Sequence, residues 1–353
     1  MSAGRRRDGT LAAKVIAWQR EHGRHNLPWQ GSRDPYRVWL SEIMLQQTQV
    51  ATVLDYFQRF LARFADVRTL AAASLDDVLA LWSGLGYYSR ARNLHRCAQV
   101  VMVEHGGEFP RSAASLATLP GVGRSTAAAI AVFCFGERAA ILDGNVKRVL
   151  SRALGFSHDL AVAGNQHELW RQAEALLPAR AIEAYTQGLM DLGATLCSGR
   201  RPRCESCPLR SQCVAHREGA PEHYPVKTRR LKRTQRSNAV LWLCDADRVW
   251  LVQRPPRGVW AGLWTPPLYG LLDEVQSVVA DWPGRGEARA PIDHALTHFD
   301  WHLQPWKHDL PRRLSVARRA ALEATLPAGR WFKLEQAMQL GLPAPVRRLL
   351  ASP

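Results

Sequence analysis

Two carboxylates, Glu42 and Asp143, stand in stretches of sequence where an acid is suited to chemistry. Glu42 is the only carboxylate between Pro35 and Val50, and most of its neighbours there are large and apolar. An acid in apolar surroundings is costly to ionise, so its pKa should rise into the range of a proton donor. The competing interpretation is an ordinary solvated Glu on an amphipathic helix, which is the commoner case for a lone Glu.

The second carboxylate lies in Leu142-Asp143-Gly144-Asn145-Val146-Lys147-Arg148. Asp143 is placed to cap a helix, and capping alone would explain it. The same position can also hold a fixed, ionised carboxylate at the mouth of a cleft. Asn145 is then available to orient one of the acids, and Lys147 follows on the same helix. An acid and a carboxylate flanking one bond is the arrangement that glycoside hydrolysis uses.

Three further segments carry groups suited to nucleic acid. The amides of Gln46-Gln47-Thr48-Gln49 match base edges better than a protein core. A tight turn, Gly84-Leu85-Gly86-Tyr87-Tyr88, predicts exposed rings, either as a packed aromatic corner or as a wedge for a base stack. In Leu119-Pro120-Gly121-Val122-Gly123 the glycines Gly121 and Gly123 predict a hairpin between two helices whose N–H groups meet a phosphate, although an ordinary helix connection would look similar.

Four of the seven cysteines fall within one short segment, with the spacing Cys197-x6-Cys204-x2-Cys207-x5-Cys213. So dense a set of thiols predicts a metal or cluster site in a reducing compartment rather than a disulfide framework. Zinc also takes four thiolates, but usually from two close pairs, and here there is only one close pair. Spacing alone therefore leaves the metal open.

The composition is strongly basic. The 353 residues carry a net charge of +16, with a sequence pI of about 10.2. A polyanionic partner is expected, with nucleic acid the first candidate and an acidic membrane surface the second. No apolar run is long enough to span a membrane, and the basic N-terminus lacks the apolar core of a secretion signal.

The pattern of apolar residues predicts helices over the first 200 residues. Asp34 and Pro35 should begin the Glu42 helix, and Thr48 and Ser89 are candidate caps for later helices. Arg90 and Arg92, beside the glycine–tyrosine turn, are expected to meet phosphates. Residues 216–236 lose periodicity and predict an extended basic linker. Beyond them, 239–244 and 249–253 predict a β-hairpin, 294–303 a strand and 334–340 a helical end.

Five motifs together resemble the adenine DNA glycosylases of the MutY type, in the helix–hairpin–helix superfamily that includes endonuclease III. They are SEIMLQQTQV, GLGYYSRARNLH, LPGVGRSTA, LDGNVKRVLSR and MDLGA. The resemblance implies that Glu42 protonates adenine and that Asp143 stabilises the sugar cation. It also implies that Tyr87, with Gln47, wedges into the base stack.

The same resemblance assigns further positions. Trp29, Leu45 and Val50 fall where the family's adenine pocket lies. Ser125 stands where bifunctional relatives carry a Schiff-base lysine, which implies a monofunctional enzyme. The cysteine spacing is similar to that of the superfamily's single [4Fe–4S] cluster, whose loop here also carries Arg200, Arg201, Arg203 and Arg210.

The C-terminal part resembles the Nudix-like domain of the same family. The acid-rich REXXEE pattern of Nudix hydrolases is missing from the sequence, which argues against pyrophosphatase activity. The family reads 8-oxoguanine with a loop that is commonly Phe-Ser-His, and here the loop is Leu296-Thr297-His298. Thr297 keeps a hydroxyl, whereas an ordinary pair on an edge strand is the alternative for Thr297 and His298.

We therefore predict a mainly α helix–hairpin–helix glycosylase fold with an iron–sulfur loop, followed by an α+β Nudix-like domain. The expected boundaries are 1–215 for the glycosylase domain, with its hairpin at about 112–136 and the cluster loop at 197–213, then a linker at 216–236 and the second domain at 237–353. The expected activity is removal of adenine opposite 8-oxoguanine or guanine in double-stranded DNA. The protein is expected to be a monomer without a membrane partner. It is expected in the cytoplasm, and in a bacterium at the nucleoid. A bifunctional pyrimidine-lesion glycosylase with lyase activity and a redox-sensing DNA-binding protein are the alternatives.

Overall fold

A computed structural model describes residues 9–228 and 232–352. Contacts between α-carbons divide the chain into two compact units. The helical unit takes in residues 1–71 and 96–230, and the sheet unit takes in residues 72–95 and 231–353. Residues 72–95 thus group with the C-terminal part of the chain, although they lie inside the predicted domain 1–215.

From residue 9 onward, eleven α-helices precede the cysteine segment. In chain order they are α1 (Leu11–His22), α2 (Pro35–Leu45), α3 (Val50–Arg63), α4 (Val67–Ala72), α5 (Leu75–Trp82), α6 (Ser89–His105), α7 (Ala113–Leu116), α8 (Arg124–Phe135), α9 (Gly144–Leu154), α10 (Ala163–Ala175) and α11 (Ile182–Thr195). Helix α1 packs on α11, α11 on α9, and α2 on α8. These packings surround a core that includes Val15, Val146, Leu150 and Leu192, all fully buried.

Local caps fix where the functional helices begin. The Asp34 carboxylate accepts the N–H of Tyr36 with Pro35 at the first helical position, as predicted for α2. The Asp143 carboxylate likewise accepts the N–H of Val146 at the start of α9. The predicted cap at Thr48 is wrong, because α3 begins one residue later and the Thr48 hydroxyl donates to the Gln46 carbonyl instead. Ser89 is the first residue of α6 rather than its cap.

The cysteine segment consists of short turns rather than long elements. Short 3-10 helices at Cys204–Ser206 and Arg210–Gln212 lead into α12 (Val214–Arg217), and another 3-10 turn follows at Pro221–His223. The prediction of an extended linker from residue 216 is therefore wrong for its first third. The Arg152 side chain, reaching out from α9, binds the carbonyls of Pro221 and Tyr224 and so fixes the last of these turns.

The sheet unit is built on one mixed, eight-stranded sheet. Its strands are β1 (Thr234–Asp245), β2 (Arg248–Gln253), β3 (Trp264–Thr265), β4 (Leu268–Tyr269), β5 (Arg285–Ala288), β6 (Ile292–Ala295), β7 (Phe299–Asp309) and β8 (Arg330–Lys333). The central order is β3-β2-β1-β7-β5, with β4 beside β1, β6 beside β7 and β8 beside β2. Strands β1 and β7 run parallel, from Thr234 opposite Phe299 to Cys244 opposite Asp309.

Helices cover this sheet, and α5 belongs to the same unit. The remaining helices are α13 (Leu272–Val279), α14 (Val316–Glu323), α15 (Leu334–Ala337) and α16 (Ala344–Ala351). The Asp76 carboxylate on α5 accepts the Gln253 amide of β2 at 2.9 Å. The Ser83 hydroxyl at the end of α5 donates to the Leu342 carbonyl at 2.8 Å. These bonds attach the segment that carries Tyr87 to the C-terminal sheet.

The predicted strand elements are partly correct. The hairpin is confirmed, because β1 and β2 pair antiparallel with Asp245 opposite Arg248. The single strand predicted over 294–303 is wrong. The structure breaks it into β6 and β7, which pair antiparallel with Ala295 opposite Asp300. The turn between them contains Thr297 and His298, so both residues lie at a hairpin tip and not along an edge strand.

Candidate active site and cysteine loop

Glu42 lies in α2 at the wall of a cavity in the helical unit. The cavity has a volume of about 410 Å³, within the usual range of small-molecule sites. Its lining includes four residues that the sequence singled out, namely Trp29, Glu42, Leu45 and Val50. Trp29 is buried and meets the ring of Phe57 edge-on, with ring centroids 5.3 Å apart. The cavity therefore offers an aromatic face, aliphatic walls and two acids, Glu42 and Glu183.

The carboxyl group of Glu42 is held in its neutral form. Burial, and after it the nearby charge of Asp143, raises the pKa of Glu42 to about 8. Removal of a carboxylate from water penalises its charged form, and a second carboxylate adds repulsion. At neutral pH Glu42 therefore carries a proton that it can donate.

Asp143 is also perturbed, but it is better supplied with hydrogen bonds. Burial raises its pKa, whereas the N–H groups of Val146 and Asn145 and the charges of Arg148 and Lys147 act to lower it. Two interacting carboxyls titrate as a pair. Because those donors and cations stabilise the charge on Asp143, we assign the shared proton to Glu42 and the anion to Asp143.

The side chain of Arg148 connects α9 to α11 and to the cysteine segment. Its guanidinium donates to the Asn145 side-chain oxygen at 2.8 Å, to the Gly193 carbonyl at 2.7 Å and to the Cys197 carbonyl at 2.7 Å. A Cβ on Gly193 would lie only 2.5 Å from the Cβ of Asn145. The two helices thus approach closely beside Asp143, and the Asn145 side chain is engaged by Arg148.

The predicted hairpin joins α7 to α8. Gly121 has a left-handed backbone, with φ of 76°. Gly123 caps α8 without any side-chain hydrogen bond, and it is exposed. The first N–H groups of α8 are therefore available to an anion. Within the first turn of α8, the Ser125 hydroxyl accepts the N–H of Leu142 at 3.0 Å. This bond connects α8 to the residue before Asp143.

Sequence reasoning missed a polar network at one side of the cavity. Asp191 is fully buried in α11, and its carboxylate accepts the Arg24 backbone N–H at 3.0 Å and the Arg24 side chain at 2.6 Å. It also accepts the Gln187 amide Nε2 at 3.0 Å. Arg24 and Gln187 both line the cavity. A signal was present, because Asp191 is an acid inside the apolar motif Met190-Asp191-Leu192-Gly193-Ala194.

The four clustered cysteines line a second, smaller cavity. Cys197, Cys204, Cys207 and Cys213 surround it together with Arg152. One guanidinium nitrogen of Arg152 lies 3.3 Å from the Cys197 sulfur, and backbone N–H groups of Leu209 and Ala215 approach the sulfurs of Cys207 and Cys213. Within residues 9–228 and 232–352, no group of three or more His, Cys, Asp or Glu side chains is arranged to hold a single metal ion. The four thiols, beside an arginine and backbone N–H donors, form a donor set that suits a thiolate-bound group.

The predicted wedge and the predicted lesion loop meet in the sheet unit. Tyr87 is 47% exposed and has a left-handed backbone, with φ of 48°. The Thr297 hydroxyl lies 3.4 Å from the Tyr87 hydroxyl, although 210 residues separate them in sequence. The carbonyl of the neighbouring His298 accepts the N–H of Thr234, which fixes the turn to β1.

Other predicted contacts are placed differently. Arg90 is buried, and its guanidinium donates to the carbonyls of Leu85 and Gly86, so the expected phosphate contact is wrong. Arg92 is half-buried and donates to the Ala261 carbonyl. Gln47 is exposed with φ of 57° and is not among the residues lining the Glu42 cavity. Across the described residues, no helix combines the length and apolar character that crossing a membrane requires.

Comparison with known families matches both halves of the chain. Residues 40–172 match the HhH-GPD superfamily of base excision DNA repair proteins, and residues 238–352 match the NUDIX domain. A solved thermostable thymine-DNA glycosylase is 28% identical, with a TM-score of 0.53 over 59% of this chain and 95% of its own. An endonuclease III solved in a non-covalent DNA complex is 23% identical, with a TM-score of 0.51 over 59% of this chain and 94% of its own, and shows the fold alone. The predicted fold class is thereby confirmed.

Similar full-length proteins carry one activity in their names. The adenine DNA glycosylase of Buchnera aphidicola subsp. Acyrthosiphon pisum (strain APS) is 34% identical over 339 residues, which cover 95% of both chains. The human adenine DNA glycosylase is 36% identical over 389 residues, which cover 91% of this chain and 70% of the human protein. The chain therefore belongs to the adenine DNA glycosylase family of base excision repair enzymes.

Proposed function

We propose that this enzyme hydrolyses the N-glycosidic bond of adenine mispaired with 8-oxoguanine or guanine in double-stranded DNA, without cutting the strand. The observation that carries the proposal is Glu42, an acid in the cavity wall whose pKa is raised to about 8, with Asp143 nearby. A donor of this kind serves a leaving group that departs poorly as an anion, which is the case for adenine.

The proposed reaction transfers the Glu42 proton to N7 of adenine while the bond between C1′ and N9 breaks. The electron pair of that bond stays with the base, so adenine leaves neutral and C1′ becomes part of an oxocarbenium-like cation. The anion of Asp143 stabilises this cation. Water then adds its oxygen to C1′ and gives its proton to the Glu42 carboxylate, which restores the acid.

The cavity chemistry suits a base that has left the stack. Extrusion of the base costs a few kcal/mol, and less at a mispair. The Trp29, Leu45 and Val50 side chains supply contacts to a flat apolar face. Because the Gln187 amide nitrogen already donates to Asp191, its oxygen is the atom left to accept a hydrogen bond from the exocyclic amine of adenine.

Two features of α8 support a monofunctional reaction. The position of the Schiff-base lysine of bifunctional relatives is occupied by Ser125, and a hydroxyl cannot form an imine with the sugar. That hydroxyl is instead bonded to the N–H of Leu142. The N–H groups after Gly121 and Gly123 would hold a backbone phosphate of the DNA, which positions the enzyme but reads no sequence.

Recognition of the opposite base is proposed for the hairpin tip of the sheet unit. The Tyr87 ring is exposed for stacking, and the Thr297 hydroxyl and His298 ring stand at the same tip as hydrogen-bonding groups. Gln47, exposed on its own turn, is proposed to help hold the gap that the extruded base leaves. The domain boundaries predicted at 215 and 237 remain proposals, as does the monomeric state.

We further propose that Cys197, Cys204, Cys207 and Cys213 hold one [4Fe–4S] cluster. When bound, such a cluster cross-links the loop and gives it a redox-active centre. Arg152 would donate to the Cys197 sulfur, and the exposed arginines of the loop, Arg200, Arg201, Arg203 and Arg210, would face DNA phosphates.

Single-turnover base release tests this function. Adenine would be placed opposite 8-oxoguanine, guanine or thymine, and both free base and strand scission would be followed. Fast release opposite 8-oxoguanine and guanine alone, with intact strands until alkali is added, supports the proposal. Release of an oxidised pyrimidine with strand scission would instead support the bifunctional alternative. DNA binding without any base release from an iron-loaded preparation would favour the redox-sensing alternative.

A further inference from the structure

Lys147 and Lys227 lie near one another at one edge of the helical unit, where the charge of Lys227 acts on Lys147. Lys147 is half-buried on α9, four residues after Asp143, and its ammonium donates to the Gln166 side-chain oxygen at 3.1 Å. Lys227 is exposed near the C-terminal end of the helical unit. Within the described ranges, neither lysine forms a contact ion pair.

One turn, Asp159-Leu160-Ala161, fixes the positions of both lysines. The residues on either side of Lys227 are bound to it, because the Leu160 N–H donates to the Val226 carbonyl at 3.1 Å and the Thr228 hydroxyl donates to the Asp159 carboxylate. The same turn holds Gln166, whose amide nitrogen donates to the Leu160 carbonyl at 2.9 Å.

Because Gln166 in turn binds Lys147, both lysines depend on the same turn. The Asp159 side chain is itself fixed, since it also accepts the N–H of Ala161 at 2.8 Å. Lys227 is therefore not a free tether residue. Its backbone is held between two anchored neighbours, on the side of the molecule where Lys147 lies.

The charge of a second lysine acts on Lys147 at this position. Burial lowers the pKa of Lys147, the charge of Lys227 lowers it further, and Asp143 opposes both. A fold that fixes two like charges beside each other incurs repulsion, which an anion bound by both would remove. Because the charge of Asp143 also acts on Lys147, such an anion would lie next to the sugar on which Asp143 acts.

We propose that Lys147 and Lys227 together bind one phosphodiester of the strand that carries the target adenine, immediately beside that nucleotide. This inference rests on the proposed function, because it takes the deoxyribose to lie at Asp143. It makes the segment before the sheet unit a contributor to substrate positioning, and not only a connection. In a chain with a net charge of +16, a backbone phosphate is a better match than a small free anion.

The test uses full-length protein and duplexes in which single phosphates are replaced by neutral methylphosphonates. The duplex carries 2′-fluoro-2′-deoxyadenosine opposite 8-oxoguanine, so that binding is measured without base release. The variants are Lys147→Gln and Lys227→Gln, with Lys232→Gln as a control that loses the same charge from another exposed residue. Release of ordinary adenine by the wild-type protein is measured first, because its failure would overturn the proposed function itself.

We expect wild-type binding to weaken by about fivefold or more when one phosphate beside the adenosine is neutralised. Lys147→Gln and Lys227→Gln should each bind the unmodified duplex more weakly and should both lose their sensitivity at that same phosphate, whereas Lys232→Gln should keep it. The slope of log affinity against log salt should fall by about 1 in either single variant, and by about 1, not 2, in the double variant. The proposal would be overturned if Lys227→Gln kept the full sensitivity of binding to the methylphosphonate. It would also be overturned if the two variants lost sensitivity at two different phosphates.

A second variant separates charge from placement. Thr228→Val keeps the Lys227 ammonium but removes the hydroxyl that anchors it to Asp159. We expect an intermediate loss of sensitivity at the same phosphate, with an unchanged melting temperature because Thr228 is exposed. Sensitivity equal to that of the wild type would show that the anchored turn does not position Lys227.

Discussion

The Glu42 cavity of the helical unit and the Tyr87–Thr297 tip of the sheet unit are built in opposite ways. At the Glu42 cavity and the nearby Asp143, burial raises the pKa values of both acids, and the supporting groups make several short hydrogen bonds. At the tip the tyrosine ring is half exposed and one 3.4 Å hydrogen bond joins the two side chains.

This difference follows from what each region is proposed to do. Bond breaking needs charges that are already oriented in a site of low polarity, because reorganisation during the reaction is costly. Reading of an opposite base needs groups that remain available to DNA, since their partners arrive with the substrate. Changes at the cavity should therefore affect bond breaking, and changes at the tip should affect discrimination between opposite bases.

The largest effect is expected at Asp143. Replacement by Asn keeps the shape and removes the anion that stabilises the sugar cation. We predict a fall of about 10³-fold or more in the single-turnover rate of adenine release, in line with the loss of a single strong electrostatic partner. Affinity for a duplex with the mispair should change by less than about threefold. Comparable losses in rate and affinity would indicate a binding role instead.

An intermediate effect is expected at the close approach of α9 and α11. The Gly193→Ala methyl would collide with Asn145 and push α9, with its Arg148, away from the Gly193 carbonyl on α11. We predict a loss of stability of about 1–3 kcal/mol and a rate reduced by about tenfold or more. Both are measurable by thermal melting and by single-turnover assay.

A glycine in open surroundings serves as the matched control for Gly193. No heavy atom lies within 4 Å of a Cβ built on Gly164 in α10. Gly164→Ala should therefore raise stability by about 0.5–1 kcal/mol and leave the rate unchanged. Equal changes in stability and rate in the two variants would contradict the steric argument for Gly193.

The smallest effect is expected at the hairpin tip. Thr297→Val replaces the hydroxyl by a methyl of similar size. We predict that the preference for adenine opposite 8-oxoguanine over guanine falls by about three- to tenfold, the scale of one hydrogen bond. The rate opposite guanine should stay within about twofold of the wild type, and Thr297→Ser should restore the preference. A uniform loss opposite both bases would place Thr297 in a structural role.

The sequence predicted those parts of the site that depend on local patterns. The caps at Asp34 and Asp143 follow from residue type and position alone, and an acid inside an apolar helix signals a raised pKa. The crowding of the four cysteines was equally local. These features need no knowledge of which helices pack together.

The parts that the sequence did not predict depend on long-range packing. The contacts of Arg148 with Gly193 and of Asp191 with Arg24 join residues that are distant in sequence. Arg90 was assigned to phosphates because arginines near a turn are usually solvated. The left-handed turn leaves the Leu85 and Gly86 carbonyls facing it, so its charge is used inside the protein.

The strand predicted over 294–303 failed for a related reason. Alternation of apolar and polar residues continues through β6 and β7, and nothing in Leu296-Thr297-His298 marks a turn by composition. Only the antiparallel pairing of the two strands reveals the tip.

The central claim, that Glu42 is the proton donor, is tested most directly by the pH dependence of single-turnover adenine release. Because burial raises the pKa of Glu42 to about 8, the acid is active below that pH and is lost above it. We predict a wild-type rate opposite 8-oxoguanine that falls about tenfold per pH unit above pH 8. Glu42→Gln should retain duplex binding but release adenine at least about 10³-fold more slowly than the wild type below pH 8, and its rate should not fall as the pH passes 8. A Glu42→Gln rate close to that of the wild type would contradict the assignment.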